Sequence, residues 1–228
     1  MTTKVGPKLL GAAYYRSFRC LWMLEELGVP YQYESAHPQT ENVLKYNPLG
    51  KVPILVEEDG FSMFESCAIN TFLGDKYRNA NPTLVPLVGT NERGLYEQTV
   101  SVVTTEMDAQ GLWIHRKHEA MGDFFTFIPD AVAHARKWFH KTNRQLTQQL
   151  KETDGSYLLG SNFTAADISY VHCLEWSREI GWDDKWKDDG EVVDYFKLCR
   201  SRPAFRKAHD MRKEELAAAA SQKKQSKL

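Results

Sequence analysis

The stretch Asn47–Ile69, NPLGKVPILVEEDGFSMFESCAI, decides how the rest of the chain reads. Its Asp59-Gly60 pair is the strongest hairpin signal present, and it predicts two short strands on either side. Val52-Pro53 falls at a strand entry, where a proline can be cis and leave the preceding backbone free to pair with a ligand. Glu65-Ser66 falls where the hairpin feeds a helix, and the first N–H groups of a helix attract carboxylates. Lys51 adds a cation nearby. Each feature has an ordinary explanation: an edge proline, a helix N-cap, a surface lysine. Their succession within one stretch, after a β-α-β pattern, points instead to a binding site.

Upstream, KLLGAA reads as a short buried strand, SFRCLWMLEELG as a helix ended by Gly28, PYQYES as a second strand, and TENVLKYN as a short helix or turn. Downstream, ESCAINTFLGDKY reads as a helix with Ala68, Ile69, Phe72, Leu73 and Tyr77 on one face. The order β-α-β-α-β-β-α implies a small mixed sheet covered by helices. Arg78–Asn91 has two prolines and little periodicity, and it reads as a linker. Long helical patterns follow, over about 92–118 and 124–151, with further helices starting near Thr164, Val192 and Pro203. Thr164-Ala-Ala-Asp167 fits a capping box in which each end of the tetrapeptide satisfies a backbone N–H. The expected organisation is an α/β domain over 1–80, a linker over 81–91, an all-helical domain over 92–212, and a flexible basic tail over 213–228.

Composition narrows the function classes. A net charge of -1 gives no reason to expect nucleic acid as partner. No apolar run approaches the roughly 18 residues needed to cross a bilayer, so no membrane partner is expected. The N-terminus lacks the features of a secretory signal. The 4 cysteines, Cys20, Cys67, Cys173 and Cys199, form no C-x-x-C pair. The histidines of HRKH, His115 and His118, are out of an H-E-x-x-H frame, so no metal site is expected.

The segments RCLWMLEELGVPYQ, NPLGKVPIL, FESCAI and LLGSNFTAADI together resemble the cytosolic glutathione S-transferase superfamily. The resemblance implies a thioredoxin-like N-terminal domain, an all-α C-terminal domain and a homodimer. It also implies a transferase that joins the glutathione thiolate to a hydrophobic electrophile, with peroxidase activity as a further expectation. Glutathione is then the co-substrate, and no metal is required. Carried over residue by residue, Val52 would pair its backbone with the cysteinyl part of glutathione beside cis-Pro53. Glu65 and Ser66 would hold the γ-glutamyl end, and Lys51 would face the glycyl carboxylate. Thr164 and Asp167 would serve folding rather than catalysis.

A free thiol titrates near about 8.5, so such a site must stabilise the thiolate. Counting back from LEELG places Tyr14 at the activating position of the serine-type and cysteine-type classes, with Ser17 three residues later at the helix start. Tyrosine-type classes place their tyrosine earlier, so the YYRS segment departs from the family pattern. Tyr14 is the first candidate for the activating hydroxyl and Ser17 the second, with Tyr15 or no side chain left open. Ser17 is also a candidate N-cap, and Arg16 and Arg19 either add positive potential or solvate the surface. Cys20 lies a turn inside the helix on the core stripe with Met23 and Leu24, which disfavours mixed-disulfide chemistry. On the fourth helix, Met107, Leu112, Trp113 and His115 are candidates for a second-substrate pocket, although such a stripe also suits plain core.

The chain given ends Ser226-Lys227-Leu228, which as a C-terminal tripeptide reads as an address recognised by the peroxisomal import receptor. The expected localisation is therefore the peroxisome, and otherwise the cytoplasm. The alternative to an enzyme is a non-catalytic, glutathione-transferase-like binding or scaffold protein.

Overall fold

The computed structural model describes residues 6–225, so the Ser226-Lys227-Leu228 signal lies outside the described residues. Two compact units form: residues up to Pro82 together with those from Arg200 onward, and Thr83–Cys199.

The first unit contains β1 (Lys8–Leu10), α1 (Ser17–Leu27), β2 (Gln32–Glu34), α2 (Glu41–Leu44), β3 (Ile54–Val56), β4 (Ser62–Phe64) and α3 (Ser66–Lys76). The sheet order is β2-β1-β3-β4, with β1 parallel to β2 and antiparallel to β3, and β3 antiparallel to β4. This is the small mixed sheet that the alternation of elements predicts. The hairpin turns where expected: Gly60 takes φ 89°, and the Asp59 carboxylate accepts the Phe61 N–H at 2.9 Å. Leu10, Ala36, Val43 and Ile54 form the core under the sheet, with Tyr46, Val52, Val56 and Phe64 packed against it. Gly28 ends α1 in the left-handed region (φ 63°), its N–H returning to the Leu24 carbonyl at 3.0 Å.

The face of α3 differs from the expected one. Its buried stripe is Ser66, Ile69, Asn70, Leu73 and Gly74, while Ala68 is exposed and Phe72 is half-buried against Phe61. The reason is polar: Asn70 donates to the Arg19 carbonyl at 3.3 Å across the α1–α3 contact, so the helix turns its small polar residues inward.

The second unit is helical: α4 (Asn91–Val102), α5 (Trp113–His115), α6 (Pro129–Glu152), α7 (Ala165–Glu179) and α8 (Gly190–Ser201), the last ending just inside the first unit's span. Two π-helical segments, Val103–Leu112 and Arg116–Ala120, flank α5, so the expected long helix is continuous but widened. At the entry to the first, Thr104 and Thr105 donate back to the Val100 and Ser101 carbonyls at 2.8 and 3.0 Å, and such back-bonding loosens a helix. The capping box forms as expected: Asp167 accepts the Thr164 N–H at 2.8 Å and its hydroxyl at 3.0 Å. Fully buried Asp167 also accepts the Leu158 N–H and the Tyr195 hydroxyl, at 3.0 and 2.9 Å. The stretch expected as a linker does more than connect. Leu84 and Val85 are buried, and the Leu84 carbonyl accepts the Ala165 N–H at 2.8 Å.

The chain's end departs most from expectation. Lys213 does not begin a fraying tail: it lies within α9 (Pro203–Gln225), which packs on α1 in the first unit. Phe205 meets Trp22 and Phe18 edge-on at 4.9 and 5.6 Å, and Arg202 grips the Glu26 carboxylate with two bonds of 2.6 and 2.7 Å. Phe205, Ala208 and Arg212 are buried at helical spacing, and this stripe sets the helix against α1.

Candidate functional site

The C-terminal ends of β1 and β4, the N-terminal end of β3 and the N-termini of α1 and α3 bring the expected residues into one unit. Val52–Pro53 is cis, and it precedes β3 directly. Because Ile54 pairs with Phe64 in the antiparallel register, Pro53 and Glu65 are the next residues outward on adjacent chains. The binding stretch is therefore one local surface.

Glu65 carries the only positive φ within this stretch outside glycine, at φ 76° and ψ 108°, immediately before α3. A residue with a Cβ is held in such a conformation at a cost of order 1–3 kcal/mol, and such strain concentrates at ligand sites. The twist leaves Ser66 as the first residue of α3, buried, with the Arg19 guanidinium donating to its hydroxyl at 3.3 Å. Arg19 is 1% exposed, so of its two expected roles surface solvation is excluded: it is a cation placed beneath the helix N-terminus. Lys51 is exposed, and Asn47 organises its loop by donating to the Lys51 carbonyl at 2.9 Å and accepting the Leu49 N–H at 3.0 Å.

The two candidate hydroxyls occupy opposite situations. Ser17 opens α1 as its first helical residue but does not cap it. The N-cap is Arg16, with helical φ and ψ and no side-chain capping bond to the helix. The Ser17 hydroxyl is 0% exposed and lacks a hydrogen-bond partner. A Cβ on Gly11 (φ 132°) would stand 2.2 Å from Ser17 Oγ and 2.8 Å from Val52 Cβ, so only glycine lets these two side chains approach. Tyr14 is half-buried, and its hydroxyl lies 3.3 Å from both ring nitrogens of exposed His37. Tyr15, with its ring 4.7 Å from that of Tyr14, brings its own hydroxyl to 3.5 Å from His37 Nδ1. Burial, then the neighbouring Tyr15 and Glu215, push the Tyr14 phenol up to about 12, so at neutral pH it is a neutral donor and not a base. The Cys20 thiol is fully buried and pushed well above its usual range by that burial, which removes it from thiol chemistry.

Sequence reasoning passed over His37, Asn47 and Glu215. Asn47 opens the quoted stretch and was within reach as a turn-former. His37 and Glu215 reach the site only through tertiary contacts.

The glutathione S-transferase N-terminal domain profile matches residues 16–76, and the C-terminal domain profile matches residues 129–197. Glutathione S-transferase F10 of Arabidopsis thaliana is 40% identical over 170 residues, covering 72% of this chain and 75% of that protein. The chain belongs to the glutathione S-transferase superfamily. Among its more distant relatives, glutathione S-transferase hmp2 of Hypomyces subiculosus is 27% identical over 213 residues, 88% of this chain and 96% of that one. Elongation factor 1-gamma-A of Xenopus laevis is 26% identical over 220 residues, 84% of this chain but 43% of that protein. The fold is that of the superfamily. The glutathione transferase URE2P8 of Phanerochaete chrysosporium, solved with oxidised glutathione, superposes with a TM-score of 0.79 at 20% identity, covering 95% of this chain and 99% of that one. This transferase fold thus joins a thioredoxin-like sheet unit to a helical one, as expected.

Proposed function

We propose that the protein is a glutathione transferase that ionises the glutathione thiol over the Tyr14 turn and directs it at a hydrophobic electrophile. One observation carries the reading: strained Glu65 and buried Ser66, at the N-terminus of α3, follow β4 directly and so come opposite cis Val52–Pro53 at the entry of the neighbouring strand β3. Ser66 and the helix N-terminus, backed by the Arg19 cation, would hold the γ-glutamyl carboxylate, with Glu65 taking its ammonium. The Val52 backbone would hold the cysteinyl residue, and Lys51 would face the glycyl carboxylate. Tyr14, neutral and half-exposed, donates a hydrogen bond to the sulfur and so favours thiolate over thiol. The thiolate then forms the new bond to the electrophilic carbon as the leaving group departs with the bonding pair. With a hydroperoxide the thiolate attacks the terminal oxygen instead, the O–O bond breaks and the alkoxide leaves as alcohol after taking a proton. A second glutathione thiol converts the resulting sulfenic acid to disulfide and water. Holding both reactants together supplies the rest of the rate.

The test is a titration of bound glutathione by thiolate absorbance in wild type, Tyr14→Phe and Ser17→Ala. Wild type is expected to form thiolate below pH 8, and Tyr14→Phe to raise the thiol pKa by roughly one unit. Glutathione bound without thiolate below pH 8 overturns the transferase reading. If Ser17→Ala alone raises the pKa, the activator is Ser17.

A second reading, a non-catalytic binding or scaffold protein, draws support from the likeness to a protein named as an elongation factor. The same titration separates the two. A homodimer is proposed from the family, and detoxification of electrophiles as the role. Ser226-Lys227-Leu228 supports recognition by the peroxisomal import receptor and, through it, delivery to peroxisomes. A fluorescent protein carrying the last dozen residues should appear in puncta with a peroxisomal marker, and a diffuse signal rejects the address.

A further inference from the structure

The backbone of the Tyr14 turn is held by a side chain from the far end of the chain. Glu215, on α9 and 202 residues from Ala13, accepts the Ala13 N–H at 2.6 Å with one carboxylate oxygen. The other oxygen accepts the Tyr33 hydroxyl, which also lies 3.1 Å from the Gly11 carbonyl oxygen. One carboxylate thus ties the exit of β1, the turn that follows it, and β2. Arg202, Phe205 and Lys207 anchor the same helix to α1, with Lys207 reaching Glu25 at 2.8 Å, so the carboxylate is delivered by a fixed element.

We propose that Glu215 is a positioning residue for thiol activation: from α9 it pins the Ala13 end of the turn to β2 and so sets where the Tyr14 hydroxyl stands over a bound thiol. The proposal rests on the transferase reading for its catalytic consequence, but the clamp itself does not. Two effects follow from placing an anion there. The clamp orders the turn, which favours donation from Tyr14. Its negative charge also keeps the phenol protonated and works against a thiolate nearby, so geometry and charge act in opposite directions. The groups that the structure places against the carboxylate are the Ala13 N–H, the Tyr33 hydroxyl and the Tyr14 phenol, which in turn has Tyr15 and His37 as neighbours.

Glu215→Gln keeps the length and an accepting oxygen but removes the charge, whereas Glu215→Ala removes both. In the ligand-free protein, the Ala13 amide should exchange its hydrogen at least about tenfold faster in Glu215→Ala than in wild type, with Glu215→Gln close to wild type. The Tyr14 phenol, followed by ultraviolet absorbance against a Tyr14→Phe reference, should titrate lower in Glu215→Gln. With glutathione bound, Glu215→Gln should lower the thiol pKa by roughly half a unit to one unit. Glu215→Ala should lose about tenfold in kcat with KM for glutathione nearly unchanged, and Glu215→Gln should restore most of it. Unchanged Ala13 exchange and unchanged Tyr14 titration in both variants overturn the proposal, whatever glutathione does. A wild type that binds glutathione without forming thiolate overturns the transferase reading instead, and the two ligand-free measurements still decide on Glu215.

Discussion

Ser17 and Tyr14 divide between them two properties that an activating hydroxyl needs. Ser17 has unused hydrogen-bonding capacity but no access, sealed between Gly11 and Val52. Tyr14 has access, and its hydroxyl already lies near His37. A buried hydroxyl without a partner carries its desolvation cost with no return, so Ser17→Ala should leave the fold as stable or raise its stability by up to about 1 kcal/mol in urea denaturation. A loss of similar size would show that Ser17 has a structural partner in solution. Gly11→Ala is the contrasting variant: it forces a methyl into both side chains at a positive φ, and should cost about 1–3 kcal/mol. Both residues lie in a stretch whose local pattern was legible, because a strand end running into a helix start is written in consecutive residues. His37 and Glu215 were not legible, because their roles depend on where β2 and α9 bring them.

At the scale of elements, the helices were readable from their periodicity and capping residues, as Thr164 and Asp167 illustrate. The π-helical widening on either side of α5 was not, because its cause is a competition for carbonyls by hydroxyls that periodicity does not register. This segment and α6 carry two buried histidines, each with a ring nitrogen that lacks a hydrogen-bond partner, His115 Nδ1 and His140 Nδ1, while His140 Nε2 lies 3.3 Å from Asp184 Oδ1. Burial holds both rings below the ordinary histidine value, against the opposing pull of Glu119 on His115 and of Asp184 on His140; Arg136, Lys185 and Arg144 add to the lowering at His140. The unfolded chain takes up these protons near pH of about 6.5, whereas the folded chain does so only at lower pH. Between those values the unfolded state binds more protons, so stability must fall as pH drops from 7 towards 5. Phenylalanine can keep the edge-on contact of His115 with Trp182, which has a 5.1 Å centroid separation. His115→Phe should therefore flatten part of the slope of urea midpoint against pH. An unchanged slope would assign it to other groups, including His209 on α9, which burial lowers in the same direction.

For the whole molecule, the sheet unit is completed by the end of the chain. Composition and spacing suggested a domain closed at residue 80, because a basic, alanine-rich segment gives little sign of what it covers. Yet Phe18 and Trp22 on α1 are both 0% exposed, and Phe205 of α9 packs edge-on against them. Glu26, held by Arg202, would lose its cation if α9 were absent. A fragment ending at Pro82 keeps all four strands and still should not fold alone. Trp22 is the one tryptophan within that fragment, so its emission reports directly on the uncovered face. The fragment is expected to show solvent-exposed Trp22 emission, bind a hydrophobic dye and unfold without cooperativity. Adding a peptide of residues 200–225 should shift the emission to shorter wavelength and suppress the dye signal. A peptide carrying Phe205→Ala should do so much less, since it lacks the ring that meets Trp22 and Phe18. Cooperative unfolding of the fragment without the peptide would show that the sheet and its own helices suffice, and that α9 covers a unit already stable without it.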